Sequence, residues 1–309
     1  VSAPTSPEPT VESPYAARLS AIPTVRRAVD VFGTTAHYWV YGSDDAPLTL
    51  VAVHGFRGEH HGLEPVVAFL DGVAEGRIRV LAPDLPGFGE SPALPGREHS
   101  VATYASWLDG FLERTAGSAR DSVVVLGHSF GSIVSAAALA QGVRAAKLIL
   151  VNPIAAPALQ GPRGVLTRLA VFYYWAGAAL PERIGQAALR SRIVTRVASV
   201  AMAKTRSTSL RAWIHDQHDS YFSRFASRQV VLEAFRASVS SDVSTYASRI
   251  DVPVLLVAAD RDDITALPAQ YTLQTLFSDA QLDVIHGVGH LIHYEKPREA
   301  AIAIEDFLR

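Results

Sequence analysis

Six short, almost unbroken apolar runs recur along the 309-residue chain: 48–53, 78–82, 122–126, 147–151, 254–258 and 282–285. Most are separated by stretches of helical pattern, at 64–74, 100–116, 130–141, 266–277 and 297–308. A strand covered on both faces must be apolar on both sides, so it reads as a continuous run instead of an alternation. Such runs alternating with helices predict an α/β fold, a mostly parallel twisted sheet with helices on both faces. Ahead of them, residues 25–32 and 36–41 alternate in the manner of half-buried strands and predict an opening hairpin.

The rhythm stops between Asn152 and Arg249, where the sequence reads as helices broken at Pro153, Pro157, Pro162 and Pro181. Within it, Ile184, Ala188, Leu189, Ile193, Val197 and Val200 recur at helical spacing over 184–203. The organisation expected is one large core, 21–151 and 250–309, interrupted by a helical cap over 152–249. Residues 1–20 begin with a stretch rich in Pro, Ser, Thr and Glu that buries little and is expected to be disordered or draped on the surface. It has no basic start and no apolar h-region, so it does not read as a signal peptide. A cytoplasmic location is the expectation, with removal of a precursor segment left open. The longest apolar run, Leu169 to Leu180, is shorter than the roughly 20 residues a spanning helix needs, so no membrane span is expected.

The chain has no cysteine, which removes thiol nucleophiles, Cys-ligated metals and disulfides. Its 28 basic and 30 acidic residues leave no basic footprint for nucleic acid. Catalysis must therefore come from oxygen, nitrogen or carboxylate groups, and no cofactor or metal is expected.

The run at 122–126 leads straight into Gly127-His128-Ser129-Phe130-Gly131, with a small-residue helix behind it. Gly-x-Ser-x-Gly between strand and helix is a nucleophile elbow, a turn so tight that the flanking positions must lack side chains. A serine hydroxyl needs a base, and the base needs an orienting acid. Both follow in chain order: Asp260, Asp262 and Asp263 after the run 254–258, then His290 in the Gly287-Val288-Gly289-His290 loop. An oxyanion hole would draw on backbone N–H groups of the His54-Gly55-Phe56-Arg57-Gly58 loop and of the residue after the serine, giving Phe56 and Phe130 as donors. His293 competes with His290 locally but falls where the last helix starts, and reads as structural.

Together these pieces resemble the cap-bearing serine hydrolases of the α/β-hydrolase superfamily, from about residue 25 to the end. Asp84-Leu85-Pro86-Gly87-Phe88-Gly89-Glu90-Ser91 is similar to that family's D-x-P-G-x-G-x-S loop, and Gly289-His290 through Glu295-Lys296-Pro297 to its closing G-H…E-x-P. The resemblance implies an α/β-hydrolase fold with Ser129 as nucleophile, His290 as base and then acid, and Asp262 as the orienting carboxylate. Asp260 and Asp263 are alternatives, since Ala259 stands where the family has a glycine. Some relatives place the acid after the sixth strand, where this chain has Asn152, which cannot carry the charge.

The function expected is hydrolysis of a small apolar ester or lactone through an acyl-enzyme. The alternatives are carbon–carbon bond hydrolysis of a vinylogous diketone and a non-catalytic ligand receptor on the same fold. His128, Arg57, His60, Tyr173 and Trp175 are candidate substrate contacts; His61 shares the loop with His60. The cluster His215, Asp216, His218, Asp219 reads as a polar cap face or hinge and not as a metal site.

Overall fold

The structure is a computed structural model that describes residues 8–156 and 164–309. A single turn of helix, α1 (Ala16–Leu19), precedes the hairpin of β1 (Thr24–Val31) and β2 (Thr34–Tyr41). The hairpin is antiparallel, with Thr24 opposite Tyr41 and Val31 opposite Thr34. β3 (Leu48–Val53), α2 (Glu64–Val67), α3 (Asp71–Ala74) and β4 (Ile78–Pro83) follow. The single helix predicted over 64–74 is two, because Leu70 is extended at ψ 96° and breaks the helical path. The chain continues through α4 (Val101–Ala116), β5 (Val123–His128), α5 (Phe130–Ala140) and β6 (Lys147–Val151).

The segment between β6 and the next strand carries α6 (Gly164–Ala179), α7 (Glu182–Leu189), α8 (Arg192–Met202), α9 (Thr208–Tyr221), α10 (Arg228–Ser240) and α11 (Ser244–Ala247), and no strand among the described residues. The predicted breaks at Pro157 and Pro162 lie outside the described residues. Residues 184–203 are not one helix, since extended Ser191, at ψ 118°, parts α7 from α8. The chain closes with β7 (Val254–Ala259), α12 (Leu267–Gln274), β8 (Ala280–Ile285), α13 (Ile292–Glu295) and α14 (Pro297–Leu308).

The eight strands form one sheet in the order β1-β2-β4-β3-β5-β6-β7-β8. β2 is antiparallel to β1 and β4, and every other pair is parallel. Alternate residues of the parallel strands feed two cores. Val51, Val53, Val125 and Leu150 pack with Leu108 of α4 and Ile133 of α5 on one face. Leu50, Ala52, Leu126 and Val151 pack with Val67 of α2 and Ile304 of α14 on the other. Both faces are thus apolar, which is why these strands read as continuous runs.

From β3 the chain runs to β4 on one side and then crosses back over β3, through α4, to β5 on its other side. That reversal opens a crevice beyond the strands' C-terminal ends, where open α/β sheets bind ligands. The loop after β3 and the turn after β5 both stand there.

Beyond the first seven residues, the N-terminal stretch lies on α9 and α13. Thr10 and Val11 donate to the Asp216 carboxylate at 2.8–3.0 Å, and the Tyr15 hydroxyl donates to the Tyr294 carbonyl at 2.6 Å. No helix among the described residues is long and apolar enough to cross a membrane.

Candidate active site

Ser129 sits at the hinge between β5 and α5 with φ 51° and ψ −116°, outside the regions open to ordinary side chains. Such a conformation costs of order 1–3 kcal/mol and persists only where its surroundings enforce it. Here they do. A Cβ on Gly127 would lie 2.4 Å from the Gly131 carbonyl oxygen, and one on Gly131 would lie 2.2 Å from the Val53 carbonyl oxygen. Only glycine at both positions lets the turn close this tightly against β3.

His290, in the loop after β8, presents Nε2 to Ser129 Oγ at 2.8 Å and Nδ1 to Asp262 Oδ2 at 2.8 Å. Asp262, after β7, accepts three further hydrogen bonds: from the Ile264 and Thr265 N–H groups on Oδ1, at 2.7 and 3.2 Å, and from Asn152 Nδ2 on Oδ2 at 3.0 Å. Burial pushes this carboxyl upward, but His290 and the backbone donors outweigh burial and hold it below the usual carboxylate range. The two alternatives point elsewhere. Asp260 caps the Gly287 N–H at 2.7 Å and faces exposed His286, while Asp263 pairs with Lys204 at 2.5 Å.

Backbone clamps set the two predicted oxyanion donors. In a trans peptide the C=O and the following N–H point opposite ways, so fixing one aims the other. The Ser129 carbonyl is held by the Ser132 N–H at 2.9 Å and its hydroxyl at 2.5 Å, which aims the Phe130 N–H away from them. Phe130 is also the first residue of α5, where a helix leaves its N–H without an internal acceptor. The Gly55 carbonyl is held by the Gly58 N–H at 3.0 Å and by His54 Nδ1 at 2.8 Å, which aims the Phe56 N–H. His54 can donate from Nδ1 because its Nε2 accepts the Leu85 N–H at 2.8 Å. Burial pulls its pKa down and favours that neutral tautomer. The loop backs directly onto the serine, since a Cβ on Gly55 would lie 3.2 Å from Ser129 Cβ.

Residues 50–304 match the model of the Alpha/beta hydrolase family. The chain belongs to that family. Among curated relatives, the Biotin biosynthesis bifunctional protein BioHC of Cellvibrio japonicus (strain Ueda107) is 25% identical over 261 residues, 84% of this chain. The match spans only 47% of that relative, about half its length. RutD of Variovorax paradoxus (strain S110), whose name describes a carbamate hydrolase, is 27% identical over 281 residues, covering 88% of this chain and 95% of its own. Among solved structures, the esterase EaEST from Exiguobacterium antarcticum superposes with TM-score 0.73 at 16% identity, covering 92% of this chain and 99% of that one.

In this alpha/beta hydrolase the remaining candidate residues fall into different surroundings. His128 is buried beside the site, with its ring 4.0 Å from His293 and 5.7 Å from His290. Burial first, and neighbouring His290 second, pull its pKa down to about 3, so it stays neutral. Tyr173 donates to the Ala188 carbonyl at 2.7 Å, and Trp175 is exposed beside Phe172. His60 is stacked on Trp39 at 3.3 Å, and its Nδ1 and backbone N–H both meet Asp84 Oδ1. His61 stacks on Tyr221 and bonds Glu59. His215 and His218 do not form the polar cap face predicted for them; both are buried against the Ser199 hydroxyl at 2.6 Å.

Arg57 turns its guanidinium into the helical segment. Its three nitrogens reach the Phe222 carbonyl at 2.7 Å, the Tyr174 hydroxyl at 3.2 Å and the Leu189 carbonyl at 3.0 Å. The oxyanion-side loop is thereby tied to α6, α7 and the end of α9. Phe56 adds an aromatic seam, 5.6 Å from Tyr174 and 5.7 Å from Phe235. Arg57→Leu leaves these acceptors unpaired and is expected to cost about 2–4 kcal/mol in urea unfolding, with faster proteolysis of the α6–α8 region. Arg57→Lys should recover little, because one ammonium cannot span three divergent acceptors.

Among the described residues, Glu59, His60 and His61 are the one group of three whose ligand atoms lie close enough together for a cation, within 4.8 Å. The Arg224 guanidinium, 3.5 Å from Glu59, opposes one there. Asp84, from the Asp84–Ser91 motif, also accepts the Glu90 N–H at 2.8 Å. Burial raises its pKa, but the His60 charge and hydrogen bonds prevail and hold it well below the usual range. A depressed carboxylate stabilises the fold above its unfolded pKa, near 4, and that stability is lost as pH falls through the folded value. Asp84→Asn should therefore cost about 3–5 kcal/mol at neutral pH, and flatten the decline of the urea midpoint below about pH 4.

Asn152 and His54 are neighbours of the candidate site that sequence reasoning missed. In sequence Asn152 reads only as a position that cannot supply the acid, whereas its amide donates to Asp262 from the end of the adjacent strand. The signal in the sequence is that same strand-end position, where an amide can donate to a carboxylate at the end of the neighbouring strand.

Proposed function

We propose that this chain is a serine hydrolase of carboxylic esters or lactones, working through an acyl-enzyme on Ser129. The observation that carries the reading is the continuous relay from Ser129 Oγ through His290 to Asp262, with 2.8 Å at each step. Ser129 Oγ attacks the substrate carbonyl carbon while His290 Nε2 takes the hydroxyl proton. Asp262 accepts from His290 Nδ1–H and stabilises the imidazolium. The oxyanion that forms is met by the Phe56 and Phe130 N–H groups, whose carbonyl partners are already clamped, so little reorganisation is needed. His290 returns the proton to the leaving oxygen as the C–O bond breaks. Water then repeats the sequence, regenerating Ser129 and releasing the acid. Segment 152–249 acts as a cap over core 21–151 and 250–309, with Arg57 and Phe56 fastening it beside the oxyanion donors.

A fluorophosphonate probe tests the reading, with expected labelling of one peptide, the one containing Ser129. A product panel of p-nitrophenyl esters, lactones, carbamates and a vinylogous diketone tests the bond type. Ester or lactone turnover is expected to dominate. Turnover of the diketone or the carbamates without esters or lactones would replace the ester reading, and absence of Ser129 labelling would remove the mechanism.

A further inference from the structure

α8 is built inside out. At 100° per residue, Ile193, Val197 and Val200 fall in a sector about 60° wide, with Thr195 and Ser199 about opposite. An amphipathic helix ordinarily packs its apolar sector. Here Thr195 and Ser199 are the buried side, with Ser199 held between His215 and His218 of α9. The apolar sector faces outward, with Ile193 77%, Val197 65% and Val200 58% exposed. Phe172 and Trp175 of α6 and Ile184 of α7 are also exposed. Half of the fourteen large apolar side chains exposed among the described residues lie between 172 and 200, so the helical segment concentrates exposed apolar surface.

The charge around this stripe is one-sided. Between Arg183 and Arg211 the sequence carries seven Lys and Arg and no Asp or Glu, whereas the remainder of the chain is acidic, with 21 Lys and Arg against 30 Asp and Glu. Arg196 is paired with Asp219 and Lys204 with Asp263, while Arg183, Arg192 and Arg206 are exposed. An apolar stripe flanked by arginines is complementary to a negatively charged interface with an oily interior. Apolar side chains enter the acyl boundary, and guanidinium groups meet the headgroups. We propose that the outward face of α8 docks the protein on anionic phospholipid surfaces.

The test is co-sedimentation of the full chain with phosphatidylcholine vesicles, with and without phosphatidylglycerol. Ser129→Ala protein is used, so that binding is read without turnover and independently of the proposed chemistry. Binding is expected on phosphatidylglycerol vesicles and at least about tenfold weaker on pure phosphatidylcholine. It should fall as salt rises from about 0.1 to about 1 M, where the Debye length shrinks from about 10 to about 3 Å. The triple variant Ile193→Ser, Val197→Ser, Val200→Ser should lose at least about tenfold in binding while keeping its melting temperature, since these side chains are mostly exposed. Equal binding by the parent and the triple variant, or no binding to phosphatidylglycerol vesicles, overturns the proposal. So does a dimer in sedimentation velocity that becomes a monomer in the triple variant, because the stripe is then covered by a second copy.

Discussion

Ser129→Ala is expected to lower kcat for any ester or lactone substrate by about 10⁴–10⁶-fold and to abolish fluorophosphonate labelling. The hydroxyl is the group proposed to form the covalent bond, and His290 Nε2 stands 2.8 Å from it. Removing Oγ leaves the carbonyl clamps of Phe56 and Phe130 in place, so a residual rate from oxyanion binding alone should survive. Stability should change by less than about 1 kcal/mol. The strained backbone at φ 51° is enforced by Gly127, Gly131 and β3, none of which depends on the hydroxyl. Loss of activity together with loss of folding would point to a structural role for Ser129, and full activity would end the acyl-enzyme reading.

Asp262→Asn should cost about 10³–10⁴-fold in kcat, with KM little changed. Asp262 Oδ2 receives both His290 Nδ1 and Asn152 Nδ2, so the carboxylate fixes the tautomer that leaves Nε2 free to take the serine proton. An amide at 262 either offers a donor toward His290, inverting the tautomer, or turns its NH₂ into the two backbone donors of Ile264 and Thr265. Neither arrangement stabilises an imidazolium. Asp260→Asn and Asp263→Asn should stay within about tenfold of the parent, because one caps the Gly287 turn and the other pairs with Lys204. Parallel measurement of the three variants decides the acid, and a larger loss at 260 or 263 would reassign it.

The predicted strands and helices of the core were legible because each carries its signal locally. The run Val123–Leu126 is apolar at every position since β5 has a core on each face, and Gly127 and Gly131 are spaced by the turn itself. The helical segment was less legible. Ile184, Leu189, Ile193 and Val200 share a helical spacing, yet Leu189 is buried and the others are exposed. Periodicity reports that a helix has an apolar side but not what that side meets. In sequence Arg57 reads as a pocket residue because it belongs to the oxyanion loop, and His60 because it follows that loop. One is spent tying down Phe222, Tyr174 and Leu189, and the other is locked to Asp84 and Trp39.

By itself, the order of runs, glycines and the Ser, Asp, His series determined the sheet, the elbow and the short set of residues proposed to carry the chemistry, because those depend on neighbours a few positions apart. Only the tertiary structure decided which of three aspartates meets His290. It alone placed Asn152 behind Asp262, and it alone turned the apolar face of α8 outward. Each of these depends on contacts between segments far apart in the chain, where the spacing along the sequence carries no distance in space.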